Sequence, residues 1–259
     1  MNLPQAEDHP LAAIKAAGYD GVQFHTTVGS REIEEALAHG LAVCGSARVN
    51  LPADADVNAR EAKLLGLECL TLHVGWGLED DEESFRLIDA ILNASARHAV
   101  PLYVETHRAT IFQDTWRTVG FLRHFPSLEF NGDFSHWYTG QEMVYGGFGT
   151  KLEFIAPVLR NVRFLHGRIG NPGSIQVDLG DGNSEQHPYI EHFRMLWKGA
   201  FAGYLAAPAV KQPFITFTPE LLAADIYYAR RFRGAEESDR WQQSLLLRQI
   251  ALDCFNHAR

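Results

Sequence analysis

Glu105 in PLYVETH, Asp133 in LEFNGDFSHW, His166 in VRFLHGRIG and Glu220 in PFITFTPE share one local setting: a short apolar, β-rich run ends and a carboxylate or imidazole follows. Three carboxylates and one imidazole are hard or borderline ligands that suit Mn²⁺, Mg²⁺, Co²⁺ or Zn²⁺. One such ion with open coordination positions could grip a substrate hydroxyl and the adjacent carbonyl oxygen. Lewis-acid polarisation of that kind acidifies the carbon-bound proton between the two oxygens. Glu105 and Glu220 come from non-adjacent strands, so they could flank the substrate and move that proton as a catalytic pair. Each residue taken singly has a plainer explanation. A strand-end Glu is a solvated charge, Asp133 is a turn or helix-capping residue, and His166 is a hydrogen-bonded core histidine. Four consecutive strands each ending in a metal ligand favour the joint reading, with Glu105, Asp133, His166 and Glu220 as the ligand set.

Positioning those four side chains at one point requires parallel strands whose C-terminal ends share a rim. The chain alternates β and α patterns in the way that implies parallel strands and right-handed crossovers. Seven strands are expected, at 21–24, 41–49, 69–75, 101–107, around 128–134, 162–167 and 214–218. The clearest helix spans 80–98, where Phe85, Ile88, Ile91, Leu92 and Ser95 recur at helical spacing behind an acidic first turn. A second spans 236–256, with Trp241, Leu245, Leu252 and Phe255 on one stripe. Shorter helices are expected at 5–17, 31–39 and 57–66, two of them stopped by Gly18 and Gly40. The architecture is a (β/α)8 TIM barrel in one domain spanning 1–259, with its first strand short or missing, since only residues 1–4 precede the first helix. Residues 170–212 break the rhythm with glycines and prolines. They read as an elaborated loop over the barrel mouth, with a helix at roughly 188–203.

Composition bounds the partners. The 259 residues are 46% hydrophobic and 21% charged, ordinary for one large globular core. A net charge of −9 argues against nucleic acid or an anionic membrane surface, both of which reward clustered Lys and Arg. The one basic cluster, Arg230, Arg231 and Arg233, reads as a solvated helix end. Cys44, Cys69 and Cys254 form no CxxC pair and support neither disulfides nor a thiolate metal site. MNLPQAEDHP lacks the pattern of a secretory leader, and no run reaches membrane-spanning length, so a cytoplasmic enzyme is expected.

Other residues near the expected rim are His73, ending CLTLHVG, His107, which shares the parity of Glu105, and His25 at the end of the first strand. His73 and His107 are candidate substrate contacts. Trp76, Trp116 and Trp137 could wall a sugar-sized pocket, although core packing is the more common fate of tryptophan.

The segments AGYDGVQ, LHVGWG, VETHR, DFSHW, HGRIG and FTPE resemble the xylose-isomerase-like TIM barrels, the superfamily of sugar phosphate isomerases and epimerases and of abasic-site endonucleases of AP endonuclease family 2 type. The resemblance runs from residue 18 to about 228. It implies one divalent metal held by Glu105, Asp133, His166 and Glu220, with the two glutamates as the acid/base pair. It further implies that His136, three residues after the Asp, contacts substrate and that Arg168 orients substrate hydroxyls, at a shorter spacing than in many epimerases. Gln176 in the extended loop resembles a recurring element of this branch.

The implied function is a metal-dependent isomerase or epimerase of a sugar or polyol-derived ketone, by Glu-mediated proton transfer on a hydroxy-carbonyl substrate. A dehydratase or lyase that expels a β-hydroxyl begins with the same proton abstraction. Abasic-site cleavage in the superfamily uses three zinc ions. Here CGSARVN supplies no His, and no DxH pair follows His166. A non-catalytic barrel is disfavoured by the intact ligand set. The expected partner is a small carbohydrate, with a homodimer as a way to cover an open barrel edge.

Overall fold

Seven parallel strands hydrogen-bond in chain order: β1 (Gly21–His25), β2 (Ala42–Val49), β3 (Leu70–Val74), β4 (Leu102–Glu105), β5 (Phe130–Gly132), β6 (Val162–Gly167) and β7 (Thr216–Pro219). The structure is a computed structural model and describes residues 10–25, 29–183, 185, 187–207 and 212–259. Helices α1 (Pro10–Ala16), α2 (Ser30–Ala38), α3 (Pro52–Leu64), α4 (Asp81–His98), α5 (Thr115–His124), α6 (Phe134–Gly140), α7 (Phe148–Arg160), α8 (Tyr189–Ala206) and α9 (Arg240–Ala258) alternate with the strands. The result is a nearly closed TIM barrel. Among the described residues β1 pairs only with β2 and β7 only with β6, so the ring is open between β7 and β1. The missing strand was expected within residues 1–4, which lie outside the described residues, as does the first part of the 5–17 helix.

The core fills the layer between sheet and helices, with Leu70, Leu72 and Val74 of β3 meeting Ile88 and Ile91 of α4, all excluded from solvent. Burying one such side chain contributes about 1.5–3 kcal/mol. Helix α4 starts where Asp80 accepts the Glu83 N–H at 2.8 Å and Glu83 accepts the Asp80 N–H at 3.0 Å, a reciprocal cap. Gly18 and Gly40 take positive φ of 81° and 68°, the stop geometry expected of them.

Several expectations shift. Helix α3 begins at Pro52 rather than 57, because proline fits the first helical turn and Asp54 accepts the Asn50 and Leu51 N–H groups. Helix α9 begins after Asp239, which accepts from Trp241 and Gln242, and its buried face is Leu247, Ile250, Ala251 and Cys254. The stripe expected from Trp241 to Phe255 was misphased, and Leu252 is exposed. The arginine cluster does not end a helix. Arg231–Phe232 (β8) pairs antiparallel with Ala235–Glu236 (β9) around Arg233 and Gly234, both at positive φ, and Arg230 pairs with Glu237 at 2.8 Å. Helix α8 starts one residue after 188 and runs on to Ala206, so the second half of the long connection is an ordinary barrel helix packed on α7 and α9.

Candidate functional site

Strand β4 delivers Glu105 to the C-terminal rim, fully buried beside β5 and β6. Strand β5 is only three residues long because Asp133 leaves it to cap α6, accepting the Ser135 N–H at 3.1 Å. Its expected plain role as a helix cap is therefore real, and the other carboxylate oxygen still faces the site. His166 stands on β6 with Nδ1 3.4 Å from Glu105 Oε2, 3.7 Å from Glu220 Oε2 and 4.0 Å from Asp133 Oδ2. Glu105, Asp133 and His166 place ligand atoms within 4.8 Å of one another, a span one divalent ion can bridge. Glu220 stands just beyond β7, partly exposed, and turns toward Arg168, whose Nη2 forms an ion pair with its Oε2 at 2.9 Å.

Arg168 is 1% exposed and also donates through Nη2 to Asp133, so one guanidinium nitrogen lies between two of the expected metal ligands. Its Nε donates to Ser135 Oγ at 3.0 Å. His136 sits 3.2 Å away from Arg168 Nη2 through Nε2. A guanidinium only donates, so Nε2 is the acceptor and the ring hydrogen belongs on Nδ1, which has no hydrogen-bond partner.

His73, His107 and His136 form a row of neighbouring rings tilted by 38° and 48°, with centroids 4.2 Å and 3.8 Å apart. His73 Nε2 is 3.4 Å from Glu105 Oε2, and His73, Glu105 and His107 form a second group of ligand atoms within 4.8 Å. His107 arrives there by a different route from the one expected. The strand stops at Glu105, and the chain turns so that the His107 N–H bonds the Glu105 carbonyl at 2.8 Å.

Burial dominates the charge balance and neighbours decide its outcome. Burial opposes ionisation of Glu105, but His166 and His73 outweigh it and hold the carboxyl well below its ordinary range. Asp133 is likewise held low, Arg168 and His136 overcoming burial. For Glu220 burial wins over His166 and Arg168, and the carboxyl is pushed up. Burial would lower His166, yet Glu220 and Glu105 raise it to about 9. His107 falls to about 4 and His136 well below 6.5, each chiefly through burial.

The donor set fits a divalent cation on this structure's own terms. Glu105 Oε1 is buried without a hydrogen-bond partner, and an imidazole nitrogen faces three carboxylates. A cavity of about 470 Å³ opens on these groups, lined by Glu105, His166 and Glu220 on the inner side and by Leu11 and Trp241 on the other. It lies toward the open side of the barrel, between β7 and β1.

Three residues around the site carried no sequence signal of their own. Gln23 and Asn131 are interior strand positions, and only burial of an amide among apolar neighbours hints at a role. Tyr228 lies in an irregular segment, with Arg168 and Arg108 placed 4.8 Å and 5.2 Å from its ring centroid. Trp137 is a core residue donating to the Phe112 carbonyl at 2.9 Å, whereas Trp76 and Trp116 are 56% and 78% exposed and pack in no core. His25, at the end of β1, lines the cavity. Gln176 exchanges two hydrogen bonds with the Leu222 backbone, at 3.0 Å and 2.9 Å, clamping the extended loop to the exit of β7.

No family model matches the chain, and no curated protein matches it either. Solved structures do. An L-ribulose 3-epimerase aligns over 96% of this chain and 89% of its own at 14% identity, with a TM-score of 0.61. A xylose isomerase-like TIM barrel protein from Mycobacterium smegmatis, in complex with magnesium, aligns over 95% of this chain and 88% of its own at 14% identity, with a TM-score of 0.58. A sugar phosphate isomerase/epimerase from Parabacteroides distasonis aligns over 95% and 89% at 11% identity, with a TM-score of 0.55. The fold is that of the xylose isomerase-like TIM barrels. At these identities the likeness speaks for the fold alone. Among the described residues no helix is long and apolar enough to cross a membrane.

Proposed function

We propose that this protein is a divalent-metal-dependent isomerase or epimerase acting on a small sugar or polyol-derived ketone in the cytoplasm. The observation that carries the reading is the convergence of Glu105, Asp133 and His166 at one buried point, with Glu220 3.7 Å from the same His166 nitrogen. In this reading the four residues hold one Mn²⁺, Mg²⁺, Co²⁺ or Zn²⁺ ion. When bound, the ion supplies Lewis-acid polarisation of adjacent hydroxyl and carbonyl oxygens.

The chain's own groups do the rest. Glu105 and Glu220 reach the site from non-adjacent strands and take up and return the carbon-bound proton from opposite sides of the substrate. His136 offers its unpartnered Nδ1–H to a substrate oxygen, and Arg168, fixed by Asp133, Ser135 and Glu220, orients a hydroxyl. His73 and His107 form the wall on the β3–β4 side. The partner is a small carbohydrate rather than nucleic acid or membrane, and a second copy of the chain would cover the open barrel edge.

The test is exchange in D₂O with added Mn²⁺ against a panel of ketoses, aldoses and inosose-type ketones. Deuterium entering the carbon beside the carbonyl, together with formation of an isomer, is the expected result. Loss of water without isomer formation would move the protein to the dehydratases. Absence of exchange across the panel, together with absence of Mn²⁺ binding, would sink the reading.

A further inference from the structure

We propose that Gln23 is a positioning residue that selects which nitrogen of His166 faces the metal. This rests on the metal-site reading above and extends it to a residue on the far side of the barrel. Gln23 belongs to β1, on the opposite face from the buried Phe24, and lines the cavity that opens on Glu105 and Glu220. Its amide spans the interior between three other strands. Nε2 donates to Thr71 Oγ1 of β3 at 2.8 Å and lies 3.4 Å from the Gly45 carbonyl of β2. Oε1 lies 2.8 Å from His166 Nε2 of β6.

Donor and acceptor chemistry fixes the direction of each contact. The Gly45 carbonyl can only accept, so the amide nitrogen belongs on that side and the oxygen belongs against the imidazole. An amide oxygen can only accept, so His166 Nε2 carries a hydrogen and donates it. That leaves Nδ1 as the ring nitrogen that gives up its hydrogen and offers a lone pair when an ion binds, and Nδ1 is the one facing Glu105, Glu220 and Asp133. Asn131 Nδ2 is 3.0 Å from Glu105 Oε2, to which it donates, and lies 3.1 Å from His166 Nδ1 and 3.3 Å from His166 Nε2, so it sits against both ring nitrogens and favours neither assignment. A hydrogen bond from the second ring nitrogen of a metal-binding histidine is worth roughly 10–100-fold in metal affinity.

A competing role is mechanical. Strand β1 lies at the open side of the barrel, and Gln23 could simply tie it to β2, β3 and β6. The two roles separate in the full-length protein by Mn²⁺ titration calorimetry, thermal melting and ¹⁵N-histidine NMR with Mg²⁺. Positioning predicts that Gln23→Leu weakens Mn²⁺ binding roughly 10–100-fold, while Gln23→Glu, which keeps the acceptor oxygen, stays within a few-fold of the parent. A mechanical role predicts lower melting temperatures in both variants with Mn²⁺ affinity unchanged, and that result overturns the proposal. The parent protein supplies a check independent of any variant's folding. Its Mg²⁺-bound His166 must show hydrogen on Nε2, and hydrogen on Nδ1 overturns the assignment. A parent that binds no Mn²⁺ at all would instead overturn the metal reading on which the proposal stands.

Discussion

Arg168 Nη2 lies 2.9 Å from Glu220 Oε2 and bonds Asp133 with the same nitrogen, so one buried cation joins two carboxylates proposed as metal ligands. The pair neutralises charge that would otherwise stand uncompensated in a water-poor site. Removing one partner of a buried ion pair costs about 3–5 kcal/mol. Arg168→Leu should therefore lower the melting temperature of the metal-free protein by on the order of 10 °C. Saturating Mn²⁺ should recover most of the loss, because the ion replaces the missing positive charge. Melting curves with and without Mn²⁺ check this, and an equal loss in both would contradict the shared-charge account.

In the proposed mechanism Glu105 has two tasks, binding the ion and moving a proton. Glu105→Gln keeps the shape and one weak oxygen ligand but removes the basic oxygen. Turnover should fall by roughly 10²–10⁴-fold, the usual range for loss of a general acid or base. Glu220→Gln should fall comparably in proton exchange. Steady-state rates and single-turnover deuterium exchange read both, and full turnover in either variant would remove that residue from the acid/base pair.

The metal-free protein should be most heat-stable near pH 6.5. His166 keeps its proton in the folded state to about 9 against an ordinary value of 6.5, so its contribution is present below pH 6.5 and is lost as pH rises to 9. His107, depressed to about 4, acts on the other flank. There the unfolded chain binds the proton more readily, and stability falls as pH drops from 6.5 toward 4. With Mn²⁺ bound the alkaline loss should vanish, since the ion occupies the nitrogen that would release the proton. Melting temperature against pH, with and without Mn²⁺, is the measurement.

Gln176 ties the extended loop to the exit of β7, beside Glu220. Gln176→Ala removes both hydrogen bonds and leaves the buried side of the Leu222 backbone unsatisfied, at a cost of about 1–3 kcal/mol. Urea denaturation should show that loss. A larger effect on substrate KM than on stability would mean the loop also shapes the pocket.

The seven strands were legible because each is a short apolar run bounded by turn residues, and parallel order follows from the alternation with helices. Glycine stops at Gly18 and Gly40 were equally plain. Less visible were α5, α6 and α7. Helix α6 begins within DFSHW, where the strand-end Asp133 doubles as a helix cap. The α9 stripe failed because that helix packs on both α8 and the sheet, which blurs a one-sided pattern.

By itself the sequence determined that Glu105, Asp133, His166 and Glu220 end successive strands, since strand termination is a local matter of β-rich runs giving way to turns. Only the tertiary structure decided what those groups face. It turned Glu220 toward Arg168, brought His107 beside Glu105 through a turn, and set Gln23 against His166, 143 positions away in the chain. Such pairings depend on which strands lie opposite across the barrel interior. No local pattern records that geometry, because it is fixed by packing of the whole ring.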